Sequence, residues 1–528
     1  MSYNVLITDP LSEEGIQPLK QAEHVNVTIK TSLSKEELIS MIGDYDALLV
    51  RSQTQVTREV FQAAEKLKVV GRAGVGVDNI DLDAATEHGV IVVNAPDGNT
   101  NSAAEHTIAM LMSLARKIPQ AFYALKQKKW DRKSHVGVEL RDKTLGIIGM
   151  GRIGAEVAYR AKGQRMNVIA YDPFLTKEQA KKMGINYGTF DEVLEVADFI
   201  TVHTPLLKET RHMINADAFR KMKDGVKMIN CARGGIIDED ALYEAIVAGK
   251  VAGAALDVFE EEPATDLKLL ELQQVIATPH LGASTVEAQE NVAIDVSKDV
   301  INILQGGPAQ NPVNLPSVSP EVMKEIEPYF DLSEKIGAFI SRLANEFIEE
   351  ISIYYSGSLT EVNVTPLTRN TIKGILQRHL GNHVNSVNAI YFANKKGMTV
   401  NEHKTTQTKG FTNLITVEVK TETGEKRVAG TVLNGLGPRI VKVDDYTVDV
   451  TPVGHMVLIR HKDQPGAIGR VGTLLAQYDV NIATMQVGRS NIGGDAIMML
   501  SVDKAVDHSH LNAILELSDI YEAKAIQL

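Results

Sequence analysis

Strand-length apolar runs rich in β-branched residues alternate with longer amphipathic stretches through most of the first 300 or so residues. Up to residue 98, Val5–Thr8, Ala47–Val50, Leu67–Val70 and Val90–Val93 read as strands, with Ser34–Gly43 and Asp83–His88 as helices between them. That alternation predicts βαβ units on a parallel sheet. Asn101–Lys128 carries no glycine and one proline, Pro119, and is rich in Ala, Leu, Ile and Met, which predicts a long helix broken near the proline and bridging two lobes. A second α/β series runs through Lys143–Ile148, Val168–Tyr171, Phe199–His203, Val226–Asn230, Ala254–Phe259 and Val275–Thr278.

The texture then changes. Gln305–Pro316 is dense in Gly, Pro and Asn and marks a boundary near 315. From 317 to 450 the pattern gives a helical opening, strands at Ile351–Tyr355, Leu414–Val419 and Thr447–Val450, and a helix near Thr371–His379. After Thr451-Pro452 come strand His455–His461, helix Ala467–Tyr478, strand Val480–Gly488, a turn at Asn491–Gly494, strand Ala496–Val502, helix Ser509–Leu517 and strand Ala523–Gln527, a split βαββαβ unit.

A length of 528 residues exceeds a single core and calls for three or four domains. With 44% hydrophobic and 23% charged residues the chain belongs with ordinary globular proteins. A net charge of −12 argues against a general nucleic-acid or anionic-membrane surface, which needs a basic field. One cysteine, Cys231, rules out an intramolecular disulfide framework and any multi-cysteine metal site, and suits a reducing compartment. Charges at Glu13, Glu14 and Lys20 interrupt the first apolar stretch before it becomes signal-like, and no run reaches the roughly 18 to 20 apolar residues of a membrane span. A cytoplasmic protein with no metal site is expected.

Candidate chemistry sits at strand ends. Gly149-Met150-Gly151-Arg152-Ile153-Gly154 follows an apolar strand and opens a helix, the context in which backbone N–H groups can hold a pyrophosphate. Asp172 ends the next strand, 23 residues beyond Gly149, placed to accept from both ribose hydroxyls and to repel a 2′-phosphate, which favours NAD over NADP. A fingerprint this far into the chain implies that the cofactor lobe is inserted into another. The expected fold is therefore α/β, with two Rossmann- or flavodoxin-like doubly wound lobes followed by an α+β domain and the βαββαβ domain. The division is 1–98 with 284–314, 99–283 as the NAD lobe, 315–451 and 452–528, with hinges near 98 and 284.

Three further strand ends carry Arg233, Glu262 and His280. Singly, each has a plainer reading: a surface arginine, a solvated acidic turn, a loop histidine. Strand ends of a doubly wound sheet face one crevice, so the three can converge. His280 then suits the proton acceptor for oxidation of a secondary alcohol, Glu262 orients its ring, and Arg233 binds and polarises the substrate.

The strings GMGRIG, NCARGGIID, ALDVFEEEP and TPHLGAST, in that order, resemble the D-2-hydroxyacid dehydrogenase family over residues 1 to about 315. Within it, Val50–Ser52, Gly71–Asn79 and Asn94–Thr100 look like the phosphoglycerate dehydrogenase forms. The resemblance implies NAD as cofactor and 3-phospho-D-glycerate as substrate. It places Arg51, Ser52, Arg72, Gly74 and Asn99 in the substrate pocket, joined by Arg132 of a neighbouring copy in a homo-oligomer, by family expectation a tetramer. It implies cofactor contacts from Val75, Arg152, Ile153, Asp172, Thr204, Cys231, Ala232, Asp257, His280, Leu281, Gly282 and Ala283. Val75 stands where some members have threonine.

Residues 317–450 resemble the intervening allosteric domain of longer members, and the tail from 453 resembles an ACT domain that binds small amino acids. Its effector positions read His461, Asp463 and Asn481; Asp463 departs from the asparagine that serine-sensitive relatives carry there, and the effector is left open between L-serine and another small amino acid. A dehydrogenase acting on glycerate, glyoxylate, hydroxypyruvate or 2-oxoglutarate, and a non-catalytic NAD(H)-sensing scaffold, are the competing readings.

Overall fold

The computed structural model describes residues 2–528 apart from Asp266, Asn345 and Lys409. Four sheets organise the chain. The first holds β1 (Tyr3–Ile7), β2 (Val25–Ile29), β3 (Ala47–Val50), β4 (Val69–Arg72) and β5 (Ile91–Asn94), all parallel, in the order β2-β1-β3-β4-β5. The second holds β6 (Thr144–Ile148), β7 (Asn167–Tyr171), β8 (Asn186–Tyr187), β9 (Phe199–Val202), β10 (Val226–Asn230), β11 (Val251–Leu256) and β12 (Val275–Ala277), in the order β12-β11-β10-β9-β6-β7-β8. The order reverses between β6 and β9, the kind of switch point at which such sheets open a crevice. In these two sheets two strands were not expected from the sequence, β2 and β8. Both are edges with exposed positions, so neither carries the continuous apolar run of a central parallel strand.

The expected long helix is two helices, Thr100–Arg116 and Ile118–Lys126. The break falls at Lys117, left-handed at φ 53°, and Pro119 sits in the first turn of the second helix, where a missing N–H costs nothing. Helix Val286–Leu304, capped by the Thr285 side chain, returns to the first lobe. It packs on helix Glu13–Gln21 and on β4, burying Val292, Val296, Val300 and Ile303 with Val5, Ile7 and Leu49. Each such side chain contributes on the order of 2 kcal/mol, enough to fasten the returning segment to that lobe.

The third sheet has six strands, ordered Thr399–Thr405, Ile348–Ser356, Leu414–Thr421, Gly424–Leu433, Gly437–Val443 and Tyr446–Val450. Helices Phe330–Leu343 and Thr365–Leu380 cross closely beside it. A Cβ at Gly337 would lie 2.1 Å from the Thr371 carbonyl, and one at Gly374 would lie 2.1 Å from that of Glu334. The fourth sheet is antiparallel, ordered Ile482–Arg489, Asp495–Val502, His455–Lys462 and Ile520–Gln527, with helices Ala467–Gln477 and His508–Leu515 over one face. Its other face, including Met456, Leu458, Ile497, Met499 and Ile526, joins the core of the third sheet. Among the described residues no helix is long and apolar enough to cross a membrane.

Candidate active site

The carboxyl ends of β3, β4 and β5 face those of β10, β11 and β12 across a cleft of about 990 Å³. On the first-lobe side Asp9, buried at the end of β1, accepts the backbone N–H groups of Arg51, Gln53 and Thr54 and the Thr54 hydroxyl. The Asn79 amide donates to the carbonyls of Arg51 and Thr54. These bonds fix the loop that presents Arg51 and Ser52. Arg72 ends β4, and its guanidinium lies so close over Gly74 (φ 151°) that a Cβ there would sit 1.6 Å from Nη1. Burial, then the charge of Arg233, lowers its pKa to about 10, so it stays charged at neutral pH. Its Nε has no partner among the described residues, as is also true of Oδ1 of Asn99 on the same wall. Buried polar atoms left open in this way suit a polar ligand.

On the opposite wall Arg233 follows β10. Asn230 shapes its turn, donating to the Arg233 carbonyl and accepting from the Ala232 N–H, and the guanidinium presses on the Gly76 backbone 3.5 Å from Asp78. Glu262 follows β11, takes the Phe259 N–H on Oε1, and holds Nδ1 of His280 at 2.8 Å on Oε2. That bond points the other ring nitrogen, Nε2, away from the carboxylate. His280 has a left-handed backbone, φ 54°, and its loop is held from below by buried Asp257. The Asp257 carboxylate accepts from the Leu281 and Gly282 N–H groups and the Thr278 hydroxyl, with His106 3.2 Å away. Burial alone would raise the Asp257 pKa; bonds from His106, Thr278 and Leu281 outweigh it and hold the carboxyl below its ordinary range. Burial pushes the Cys231 thiol up to about 12, so this cysteine offers no nucleophile.

The dinucleotide residues form a second part of the crevice. Gly149 (φ 96°) passes the His203 carbonyl so closely that a Cβ would lie 2.6 Å from it. Gly154 packs on the Gly149 carbonyl, where a Cβ would lie 2.1 Å away. Helix Arg152–Gly163 opens at Gly151 with no side-chain cap, leaving its first N–H groups for an anion. Asp172 accepts from the Met150 and Phe174 N–H groups and borders, with Gly151, Leu175 and Gln179, a hollow of about 510 Å³. The Thr204 hydroxyl has no partner among the described residues. These residues fit a dinucleotide: glycines where its backbone approach is needed, free N–H groups for pyrophosphate, a carboxylate for the ribose.

Arg51, Ser52, Arg72, Gly74, Val75, Asn99, Arg233, Glu262, His280 and Ala283 all border the one cleft. Arg152 pairs with Asp97 at 2.7 Å, a bridge between the two lobes. Arg132 does not join them and is exposed on the segment after helix Ile118–Lys126. His461, Asp463 and Asn481 belong to the fourth sheet and its loops. Asp463 accepts from the Gly493 N–H and from Arg489, and the Asn481 amide donates to Asp503. His461 is buried, with Nε2 unpartnered among the described residues. Asp9, Asn79, Thr278 and His106 escaped the sequence reading. A buried acid at a strand end and a histidine on an otherwise apolar helix face were the available signals, and each is common in purely structural settings.

Comparison with known proteins bears on this geometry. Residues 108–282 match the D-isomer specific 2-hydroxyacid dehydrogenase NAD binding domain, 325–444 the D-3-phosphoglycerate dehydrogenase intervening domain, and 455–519 the ACT domain. The D-3-phosphoglycerate dehydrogenase of Bacillus subtilis (strain 168) is 47% identical over 526 residues, covering 100% of both chains. The chain belongs to the D-3-phosphoglycerate dehydrogenase family. That of Methanocaldococcus jannaschii is 44% identical, over 99% of each chain. Among solved structures, a D-lactate dehydrogenase from Aquifex aeolicus complexed with NAD and lactic acid matches 60% of this chain and all of its own, with 32% identity and a TM-score of 0.54. A glyoxylate reductase from Paecilomyes thermophila matches 59% of this chain and 98% of its own, with 31% identity and a TM-score of 0.55. The cofactor of this family's NAD-binding domain is NAD, and the protein is an NAD-dependent dehydrogenase.

Proposed function

We propose that the chain oxidises 3-phospho-D-glycerate to 3-phosphohydroxypyruvate, the entry to L-serine synthesis, with His280 as base, Glu262 as its orienting partner and Arg233 as the group that binds and polarises the substrate. The observation that carries this is the meeting of the His280–Glu262 pair with Arg233, Arg72 and Arg51 in one cleft. NAD, when bound, supplies the hydride acceptor. His280 takes the hydroxyl proton as the hydride leaves, and the Glu262 carboxylate stabilises the imidazolium that forms. Arg233 offers a fixed donor fork to the carboxylate and the developing carbonyl. In reduction His280 returns the proton. Arg51 and Arg72, with Ser52, Gly74 and Asn99 around them, supply charge for a phosphate, more than a short unphosphorylated acid needs.

Cofactor contacts are assigned to Val75, the glycines 149, 151 and 154, Arg152, Ile153, Asp172, Thr204, Cys231, Ala232, Asp257 and the run His280 to Ala283. The first N–H groups of helix Arg152–Gly163, beside the Arg152–Asp97 pair, would hold the pyrophosphate. A second copy covers the apolar face formed by Ile118, Phe122, Tyr123, Leu125, Trp130 and Val136, all largely exposed, and brings Arg132 to its neighbour's cleft. The proposed domain division is 1–98 with 284–314, 99–283, 315–451 and 452–528, a reading supported by the presence of one sheet in each unit. A small amino acid, L-serine first among them, is the expected effector of the ACT domain at His461, Asp463 and Asn481, and the enzyme works in the cytoplasm.

The test follows NADH absorbance with 3-phosphohydroxypyruvate, hydroxypyruvate and 2-oxoglutarate in parallel, each with and without L-serine. Fast oxidation with the phosphorylated acid alone is expected. Equal rates with hydroxypyruvate would replace the substrate, and NADH binding without turnover of any acid would favour a sensing scaffold.

A further inference from the structure

We propose that His212, acting with Glu239 and Glu260, is a positioning clasp that locks the Arg233 loop to the Glu262 loop. The proposal rests on the dehydrogenase reading of the cleft and adds to it His212 and Glu239, which stand behind the cleft wall, and Glu260, which borders it. His212 has a left-handed backbone, φ 50°, and grips both loops. Its N–H donates to the Gly235 carbonyl at 2.7 Å, two residues past Arg233. Its ring Nε2 lies 3.0 Å from Oε1 of Glu260, two residues before Glu262, and Nδ1 lies 3.9 Å from Asp238.

Glu260 is held from another side too. Its N–H donates to Oε1 of Glu239 at 2.7 Å, and the Glu239 N–H donates back to Oε1 of Glu260 at 3.3 Å, tying the loop to the start of helix Glu239–Val247. Arg211 lies 3.8 Å from the other Glu260 oxygen. Between the loops there is no slack, since a Cβ at Gly234 would lie 1.8 Å from the Phe259 carbonyl. Phe259 in turn gives its N–H to Glu262, the partner of His280. A chain of direct contacts therefore runs from His212 to both the substrate-binding arginine and the carboxylate that orients the base.

The His212 ring is more than a third exposed, where an ion pair adds little to global stability. Its consequence is then geometric: the relative placement of two groups that must act on one substrate carbon, where a displacement of about 1 Å can cost on the order of a hundredfold in rate.

Four variants test this: His212→Asn, Glu260→Ala, the two combined, and Glu260→Gln. Asparagine tolerates the left-handed backbone and keeps the bond to Gly235 but is too short to reach Glu260. Turnover of NADH with the best 2-oxo acid, KM for NADH and the melting temperature are measured for each. The expected result is a fall in kcat of about tenfold to a hundredfold in His212→Asn and Glu260→Ala, with KM for NADH and melting temperature unchanged. The combined variant should fall no further than the worse single one, because both remove the same contact. Glu260→Gln, which keeps an acceptor oxygen, should retain most activity. Unchanged kcat, losses that multiply in the combined variant, or losses that track the melting temperature would each overturn the clasp. A wild-type chain that turns over no 2-oxo acid would overturn the dehydrogenase reading and the clasp with it, whereas an active wild type with indifferent variants removes the clasp alone.

Discussion

His203, just past β9, gives its N–H to the Ile148 carbonyl, brings Nε2 within 3.0 Å of the Thr201 hydroxyl and leaves Nδ1 without a partner among the described residues. Desolvation lowers its pKa from 6.5 to about 4, so the ring is neutral in the folded protein at physiological pH. The unfolded chain takes up the proton first as pH falls. His203 therefore supports the fold fully above pH 6.5, and that support is lost as pH drops from 6.5 towards 4, at most about 1.4 kcal/mol per pH unit. Urea midpoints measured between pH 8 and pH 4 should fall less steeply in His203→Gln than in the wild type; parallel curves would show that the ring does not titrate this way. At the same scale His280 was readable as chemistry from its place at a strand end. Its left-handed backbone and the buried carboxylate under its loop were not, because both arise from contacts 20 or more residues away in sequence.

The unit that carries the cofactor is strand, glycine turn and helix, from β6 through helix Arg152–Gly163 to Asp172 at the end of β7. Asp172 has two tasks here, because it anchors the Met150 N–H of the glycine turn as well as standing where the ribose binds. Asp172→Asn keeps an acceptor for Met150 but removes the charge. Loss of a charged hydrogen-bond acceptor costs about 1.5–3 kcal/mol, so KM for NAD should rise roughly ten- to a hundredfold while KM for NADP falls. An unchanged NAD/NADP preference would mean that Asp172 serves the turn alone. This element was legible from sequence because its chemistry is local: three glycines, an apolar strand and an acid within about 25 residues. The edge strands β2 and β8 and the third-sheet strands Thr399–Thr405, Gly424–Leu433 and Gly437–Val443 were not. Their pairing comes from neighbours rather than from their own pattern.

Across the whole molecule the cleft is built by residues before about 300, while the third and fourth sheets share one core through Met456, Leu458 and Ile497. The catalytic half meets that block through polar contacts, with Asn385 donating to the Gly89 carbonyl and Lys395 pairing with Glu87. Such contacts hold an orientation but contribute little to folding the lobes. A chain ending at Leu315 should therefore bind NADH and keep kcat within a few-fold of the full protein, and should lose any response to L-serine. A truncated chain that folds, as judged by circular dichroism, yet shows no turnover would make the carboxyl-terminal half part of the catalytic assembly.

Sequence by itself determined the class of fold, the inserted cofactor lobe, the βαββαβ tail, and Arg233, Glu262 and His280 as the candidates for chemistry. It could do so because hydrophobic period, glycine spacing and polar residues at strand ends are local properties of the chain. Tertiary structure alone decided which strand ends meet, how Asp9 and Asp257 hold the two walls of the cleft, and that His212 and Glu260 join the loops of Arg233 and Glu262. Those arrangements depend on buried polar groups finding partners far along the chain, and the need for a partner is written in the residue while its identity is not.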